Sequence, residues 1–252
     1  MKVTVCEMPD SGSEFWRAWD RLVEHVEAQH SDIVLLPEMP AYPWLAASPK
    51  FDPDLWRKAL DAHEELLHRL PELNQAVVLG TRPVSEGLRR FNRAFARTPD
   101  GVVREMHDKY YLPDEEGFYE SDWFDRPAPV FHSSRVGNVR IGVLICTELM
   151  FTERARQYGR EGVHVLAVPR ATEAHLRWPI GCQMAAIASG AWVLSSNRGG
   201  PDRDRFGGCG MVIGPEGDII ATTSAREPFA TVTINTAEAE RSKATYPRYV
   251  LE

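Results

Sequence analysis

Two kinds of apolar pattern alternate along the chain. Short continuous apolar runs predict buried strands, whereas apolar residues spaced three or four positions apart predict helices with one buried face. The runs that predict strands occupy positions 3–6, 32–36, 76–80, 163–168, 192–196 and 230–234. The helical spacing occupies positions 14–28, 54–70, 152–160 and 179–189, and a short helix is expected from Thr236. Strand and helix patterns therefore alternate over most of the chain.

Turn sequences add hairpins to this alternation. Polar stretches containing glycine at 98–101, 135–138 and 215–218 each separate two apolar segments, as is typical of hairpins. They predict the strand pairs 91–97 with 102–106, 130–133 with 139–145, and 210–214 with 219–222. The sequence contains no linker-like stretch and no repeat. Mixed sheets covered by helices satisfy this pattern, and two packed sheets fit it better than one doubly wound sheet.

Composition narrows the class of protein. The chain has 252 residues, is 43% hydrophobic and carries a formal charge of −7, which disfavours nonspecific nucleic-acid binding. No apolar run approaches the ~20 residues that span a bilayer, and no apolar signal segment follows the first lysine. The four cysteines form no CxxC pair and have no histidine at zinc-ligand spacing. We therefore expect a cytoplasmic protein with reduced thiols, without a metal site and without the usual nucleotide-phosphate loops.

Three reactive side chains stand near the ends of predicted strands. Glu38 follows the apolar run at 32–36, Lys109 leaves a hairpin strand, and Cys146 stands where an apolar strand turns toward a helix. Strand ends in α/β proteins often face a site. Each residue also has an ordinary structural interpretation: a solvated loop carboxylate, a lysine whose stem lies on tyrosine rings, and a buried packing cysteine.

Taken together, the three segments resemble the nitrilase superfamily, the carbon–nitrogen hydrolases. The segment LLPEMPAYPW resembles the family's glutamate motif, REMHDKYYLPDEEGFYE its lysine motif, and RIGVLICTELMFTERARQYGREGVHVLAVP its cysteine motif. The later segments SSNRGG and FGGCGMVIGPEGDII also match. The resemblance implies an αββα four-layer sandwich with two mixed central sheets, formed by residues 1–252 as one carbon–nitrogen hydrolase domain.

The resemblance also implies a role for each reactive residue. Glu38 is expected to be the general base, Lys109 the electrostatic stabiliser and Cys146 the nucleophile. A second family glutamate falls at Glu120, eleven residues after the lysine, with Glu115 and Glu116 as nearer competitors. An unactivated thiol has a pKa near ~8.5 and attacks poorly at neutral pH, so a neighbouring base and cation suit this chemistry. The backbone N–H of Thr147 and the ammonium of Lys109 are expected to stabilise the oxyanion. No metal or organic cofactor is required.

Several positions depart from the family pattern. Thr147-Glu148 follow the cysteine where many amidases have an aromatic residue and aspartate, and Glu148 matches the nitrilase branch instead. Arg170 stands at a strand end, where its guanidinium either binds a substrate carboxylate or pairs with a local acid such as Glu173 or Glu148. Tyr42 either lines the pocket or packs in a loop.

The predicted activity is hydrolysis of a small-molecule amide or carbamoyl compound to a carboxylic acid and ammonia through a cysteine thioester. A nitrilase acting on a C≡N carbon is the alternative within enzymes. A noncatalytic nitrilase-like binding module and a thiol-redox protein are the alternatives outside this chemistry, although no resolving cysteine is evident for the latter. The resemblance further implies a homodimer or a larger homo-oligomer.

Overall fold

The computed structural model describes residues 1–10, 12–199 and 205–250. Its strands, in chain order, are β1 Lys2–Pro9, β2 Ile33–Leu35, β3 Val77–Glu86, β4 Arg89–Arg97, β5 Val103–Asp108, β6 Asp114–Glu115, β7 Phe118–Tyr119, β8 Ser134–Val136, β9 Val139–Val143, β10 Val165–Arg170, β11 Trp192–Gly199, β12 Met211–Ile213, β13 Ile219–Thr222 and β14 Phe229–Thr233. Its α-helices are α1 Gly12–Gln29, α2 Pro53–Arg69, α3 Glu120–Trp123, α4 Thr152–Arg160, α5 Arg177–Ser189 and α6 Thr236–Ser242. These elements follow the predicted alternation closely.

Two mixed sheets form the centre of the fold, and strand β1 belongs to both. One sheet has the order β5-β4-β3-β2-β1-β14, and the other runs from β8 through β9, β10, β11 and β12 to β13. The first part of β1 pairs with β2 and β14, whereas Glu7 to Pro9 pair with β11. Helices α1 and α2 pack on the first sheet, and α4 and α5 cover the second. The architecture is therefore the αββα sandwich that the family resemblance implied.

The alternation of β1 shows how the layers are held together. Val3 and Val5 belong to the cluster that includes strands of the second sheet, whereas Cys6 and Met8 pack with the large side chains of α1. Successive side chains of a strand point to opposite faces, so one strand serves two cores. Trp19 of α1 is fully buried in the outer core. Burying a large apolar side chain contributes roughly 1.5–3 kcal/mol, so these contacts fix the helix on the sheet.

One predicted hairpin is shifted in the structure. The expected strand at 130–133 begins later, at β8, because the turn before β9 has two residues and not four. Val136 pairs with Val139, which leaves Gly137-Asn138 as the loop, and Gly137 has a φ of 58°. A two-residue loop of this kind needs positive φ, and glycine reaches it without a steric penalty.

Two further hairpins were not predicted. Strands β3 and β4 pair along their whole length from Val78–Arg97 to Glu86–Arg89, and β6 pairs with β7. The apolar pattern did not predict the β3–β4 hairpin, because arginine, proline and serine interrupt that pattern beyond Thr81. The hairpin bears on function because β4 and the following β5 lead the chain toward the candidate active site. Within the described residues, no helix is both long and apolar enough to cross a bilayer.

Candidate active site

Glu38 lies just beyond the end of β2, in a tightly held loop. Its backbone N–H donates to the carbonyl of Arg170 at the end of β10 (3.2 Å), and the N–H of Met39 donates to Thr81 Oγ1 (2.8 Å). Met39 adopts a φ of 41°, a conformation that costs free energy in residues with a side chain. The Glu38 side chain is completely buried. A solvated loop carboxylate is therefore the wrong interpretation of this residue.

Lys109 lies between two buried carboxylates. It follows β5, and its Nζ donates to Glu38 Oε1 at 2.8 Å and to Glu120 Oε1 at 2.6 Å. Lys109 and Glu120 are each 1% exposed. Of the three glutamates considered after the lysine, Glu120 is the one that reaches it, because α3 begins there and turns the side chain inward, whereas Glu115 and Glu116 are exposed.

Cys146 occupies a strained turn between β9 and α4. It begins a short 3₁₀ turn, Cys146–Met150, and has a φ of 52°. A non-glycine residue in this region costs of order 1–3 kcal/mol and commonly marks a functional turn. The thiol is 5% exposed and accepts a hydrogen bond from the backbone N–H of Ala171. The charges of Glu38, Lys109 and Glu120 all act on it, so the structure brings the four residues into one cluster.

Glu148 ties the cysteine turn to the lysine segment. Its Oε2 accepts from the N–H of Ile145 (2.8 Å) and contacts His107 Nε2 (2.8 Å), while its Oε1 accepts from the N–H of Tyr110 (2.7 Å). The carboxylate is completely buried. One side chain thus joins the residue before Cys146 to the residue after Lys109. The sequence identified Glu148 as a match to the nitrilase branch and as a possible partner of Arg170, but not in this connecting role.

The protonation states in the cluster follow from burial and from the neighbouring charges. Burial opposes the charged form of Lys109, but the facing Glu120 and Glu38 outweigh it and hold the pKa of the lysine above its usual value. Burial raises the pKa of Glu120 to about 8, and Glu38 adds to the rise although Lys109 opposes it. At neutral pH Lys109 is therefore charged, and Glu120 largely keeps its proton.

The thiol of Cys146 is protonated at rest. Burial raises its pKa well above the usual value and Glu38 raises it further, whereas Lys109 and the Ala171 hydrogen bond lower it. Cys6, buried in β1, also has a raised pKa because of burial. The two thiols differ in their neighbours, since a carboxylate and an ammonium face Cys146. A base that accepts the proton during attack suits Cys146 better than a standing thiolate.

The remaining candidate residues lie around this cluster. Thr147 is partly buried in the 3₁₀ turn, and Tyr42 is partly buried, with its carbonyl accepting from Arg198. Arg170 is 1% exposed and donates to Ser195 Oγ (2.7 Å), Thr172 Oγ1 (2.9 Å) and the Cys209 carbonyl (2.7 Å). The two acids considered as its partners contact other groups: Glu148 as described above, and Glu173 through Arg177.

Sequence reasoning missed two residues that support Glu38. Asn92 of β4 donates from Nδ2 to Glu38 Oε1 at 2.7 Å. Arg198 of β11 donates to the Glu38 carbonyl at 2.9 Å, and also to the carbonyls of Met39 and Tyr42. Arg198 had a sequence signal because it lies in SSNRGG, whereas Asn92 did not stand out among the arginines of β4. No group of three or more His, Cys, Asp or Glu able to hold a metal ion occurs among the residues described.

Known proteins resemble this chain in sequence and in fold. The family model described as "Carbon-nitrogen hydrolase" matches residues 2–244. A deaminated glutathione amidase from Synechocystis is 29% identical over 191 residues, covering 69% of this chain and 70% of the relative. A carbon–nitrogen hydrolase from Helicobacter pylori superposes with a TM-score of 0.87 at 21% identity, covering 99% of this chain and 94% of the other.

A second solved structure is similar in fold. It is a mutant amidase from Nesterenkonia, with the acetamide moiety of fluoroacetamide added covalently at its active-site cysteine. The TM-score is 0.79 at 18% identity, over 96% of this chain and 92% of that chain. With the family model matched over nearly the whole length, the chain belongs to the carbon–nitrogen hydrolase family.

Proposed function

We propose that this hydrolase converts a small-molecule amide or carbamoyl compound to a carboxylic acid and ammonia through a thioester on Cys146. The observation that carries the proposal is the buried ammonium of Lys109, held between Glu38 and Glu120 beside a cysteine in a strained turn. The amidases among the similar proteins, one with a covalently modified cysteine, support the same chemistry.

In the first half-reaction the thiol attacks the amide carbon. Glu38 takes the thiol proton as the sulfur–carbon bond forms, which avoids a standing thiolate in a buried site. Negative charge develops on the carbonyl oxygen, where Lys109 and the N–H of Thr147 stabilise it. One such donor contributes about 3 kcal/mol to transition-state stabilisation. The carbon–nitrogen bond then breaks, and the proton on Glu38 passes to the leaving nitrogen to give ammonia and the thioester.

In the second half-reaction water hydrolyses the thioester. Glu38 accepts a proton from the water, whose oxygen bonds to the thioester carbon, and the same oxyanion donors act again. Collapse expels the sulfur, which regains a proton, and releases the carboxylic acid. Glu120 is a weaker candidate for this base because burial raises its pKa to about 8. Its role in the proposal is to hold Lys109 in place through the 2.6 Å contact.

A panel of paired amides and nitriles, each pair sharing one side chain, tests this function. The proposal predicts Cys146-dependent release of ammonia and acid from at least one amide, with slower or no conversion of the matching nitrile. Faster conversion of the nitrile would favour a nitrilase. Turnover of neither member of any pair, without an acyl adduct, would favour a noncatalytic binding module.

Arg170 is proposed to bind a carboxylate on the substrate. An arginine has five N–H donors, and three of them bond to Ser195, Thr172 and Cys209. The remaining donors suit a substrate carboxylate, which a guanidinium binds through paired hydrogen bonds. Replacing Arg170 by alanine is expected to raise KM for acidic amides by about tenfold while neutral amides change less. Equal effects in steady-state kinetics on both classes would reject this role.

The chain is further proposed to form a homodimer or larger homo-oligomer. The side chain of Leu176, the N-cap residue of α5, is 69% exposed, and those of Ile180 and Met184 within the helix are 54% and 47% exposed. Their spacing of four places them on one helix face. Contact with a second copy would cover this face. Analytical ultracentrifugation is expected to show at least a dimer at micromolar concentration, and replacing Ile180 by aspartate is expected to shift it toward monomer. A wild-type monomer throughout would exclude the assembly.

We also propose that the chain forms one domain and is cytoplasmic. Residues 1–252 are proposed to form one catalytic domain, and a single cooperative unfolding transition would support that. All four cysteines are free, which fits a reducing compartment. Cell fractionation with antibody detection tests the location.

A further inference from the structure

The two oxygens of Glu38 have different surroundings. Oε1 accepts two hydrogen bonds, from Lys109 Nζ at 2.8 Å and from Asn92 Nδ2 at 2.7 Å. Oε2 is buried and has no hydrogen-bond partner among the described residues. Burying a carboxylate oxygen without a partner is costly, so such an oxygen commonly has a functional explanation. The carboxylate is thus held by one oxygen while the other is kept available.

Asn92 contacts both partners of this ion pair. Its side chain bonds to Glu38, and its backbone carbonyl accepts the N–H of Lys109 at 2.9 Å. It is 1% exposed. The orientation of the amide follows from charge, because the reverse orientation would set the Asn92 carbonyl oxygen against the carboxylate. Lys109 alone would leave Glu38 free to rotate about a single contact, whereas two donors on Oε1 fix the plane of the group.

We propose that Asn92 is the positioning residue that makes Oε2 of Glu38 the base, by holding Oε1 together with Lys109. Asn92 acts on the reaction through Glu38 and does not itself contact the substrate. This inference rests on the proposed amide hydrolysis and extends it to a single atom. The proton of the Cys146 thiol goes to Oε2, and the same oxygen returns it to the leaving nitrogen.

The other groups around Glu38 do not duplicate this function. They come from separate elements: Lys109 after β5, Glu120 in α3, Cys146 after β9, Arg198 in β11 and His63 in α2. Arg198 bonds to the Glu38 backbone carbonyl, and His63 lies against the backbone of Met39. Glu120 and Cys146 disfavour negative charge on Glu38 when they are ionised. Lys109 and Asn92 are the side chains that donate to its carboxylate.

Replacing Asn92 by aspartate tests the inference, since the two side chains have the same shape. When both carboxylates are ionised the aspartate cannot donate and repels Glu38, so the pair retains one shared proton to higher pH. While that proton is shared, Glu38 is not free to act as the base. We expect kcat to fall at least about tenfold with KM changed less than about threefold, because a hydrogen bond to a charged group is lost. The acidic limb of the kcat/KM profile should move about one pH unit higher. Asn92→Ala should show the same direction.

Controls separate this role from simple stabilisation. Asn235 caps α6 by accepting the N–H of Ala237, so Asn235→Ala should lower the thermal unfolding midpoint without moving the acidic limb. A wild-type acidic limb in both Asn92 variants, or activity reduced equally at every pH, would overturn the inference while leaving amide hydrolysis intact.

Iodoacetamide alkylation of Cys146, located by peptide mass spectrometry, needs no turnover. Its rate should fall at low pH in Asn92→Asp, and an unchanged rate–pH curve would also overturn the inference.

Discussion

Replacing Cys146 by alanine is expected to abolish turnover of every amide that the wild-type chain hydrolyses. Loss of a nucleophile lowers kcat by about 10⁴-fold or more, because no other group can form the acyl intermediate. The fold should survive, since the substitution removes one buried sulfur and keeps a Cβ at the strained position. Ammonia release measured under substrate saturation checks the loss, and circular dichroism checks the fold.

Cys6 supplies the matched control for this variant. It is a completely buried thiol in β1, and burial raises its pKa as it does for Cys146. Burial alone raises the pKa of Cys6, because no carboxylate or ammonium among the described residues contributes to it. Cys6→Ala should therefore keep substantial activity. Full activity in Cys146→Ala, or an equal loss in Cys6→Ala, would contradict the assignment of Cys146 as the nucleophile.

Replacing Lys109 by methionine should damage both activity and stability. The variant loses the oxyanion donor and leaves Glu38 and Glu120 buried without their cation. Removing one partner of a buried ion pair costs about 3–5 kcal/mol, and losing an oxyanion donor lowers kcat about 10²–10³-fold. Urea denaturation and steady-state kinetics measure the two effects. Lys58→Met, an exposed substitution on α2, should change neither by much.

The stability loss of Lys109→Met should depend on pH in a fixed direction. Even in the wild type, burial raises the pKa of Glu120 from 4.5 to about 8, so the folded state binds its proton more tightly than the unfolded state. The stability from this group is present below pH 4.5 and is lost as pH rises toward 8. Removing the lysine strengthens that effect. The deficit relative to wild type should therefore be larger at pH 8 than at pH 5, and the opposite order would contradict a buried carboxylate pair.

The sequence pointed to the principal reactive residues because the three segments that carry them resemble the motifs of the carbon–nitrogen hydrolases. An apolar strand precedes Glu38, a hairpin strand precedes Lys109, and an apolar strand ends before Cys146. Each residue by itself also fits an ordinary structural role, so the resemblance of the three segments taken together carried the expectation that the residues share one site. Five of the six α-helices that the structure describes, and most of its strands, followed from periodicity, whereas the four-residue helix α3 was not predicted. Turn length was harder, and β8 was displaced because Gly137-Asn138 closes the hairpin alone.

The supporting residues could not be predicted in the same way. Asn92 lies 54 positions from Glu38, and Arg198 lies 160 positions from it. Their contacts depend on how β4 and β11 are placed relative to β2, which local patterns do not specify. Glu148 was visible as an acid after the cysteine, but its bond to Tyr110 depends on the packing of two distant segments. Local chemistry therefore gave the candidates, and tertiary structure gave their partners.

Mass spectrometry of the intact chain after rapid mixing with an amide panel tests whether Cys146 carries the acyl group. We expect a transient mass increase equal to the acyl group of the turned-over amide, localised to Cys146 by peptide mapping and absent in Cys146→Ala. The adduct should disappear as acid forms. Cys146-independent ammonia release, or an acyl adduct on another residue that accounts for the turnover, would contradict a thioester mechanism at Cys146.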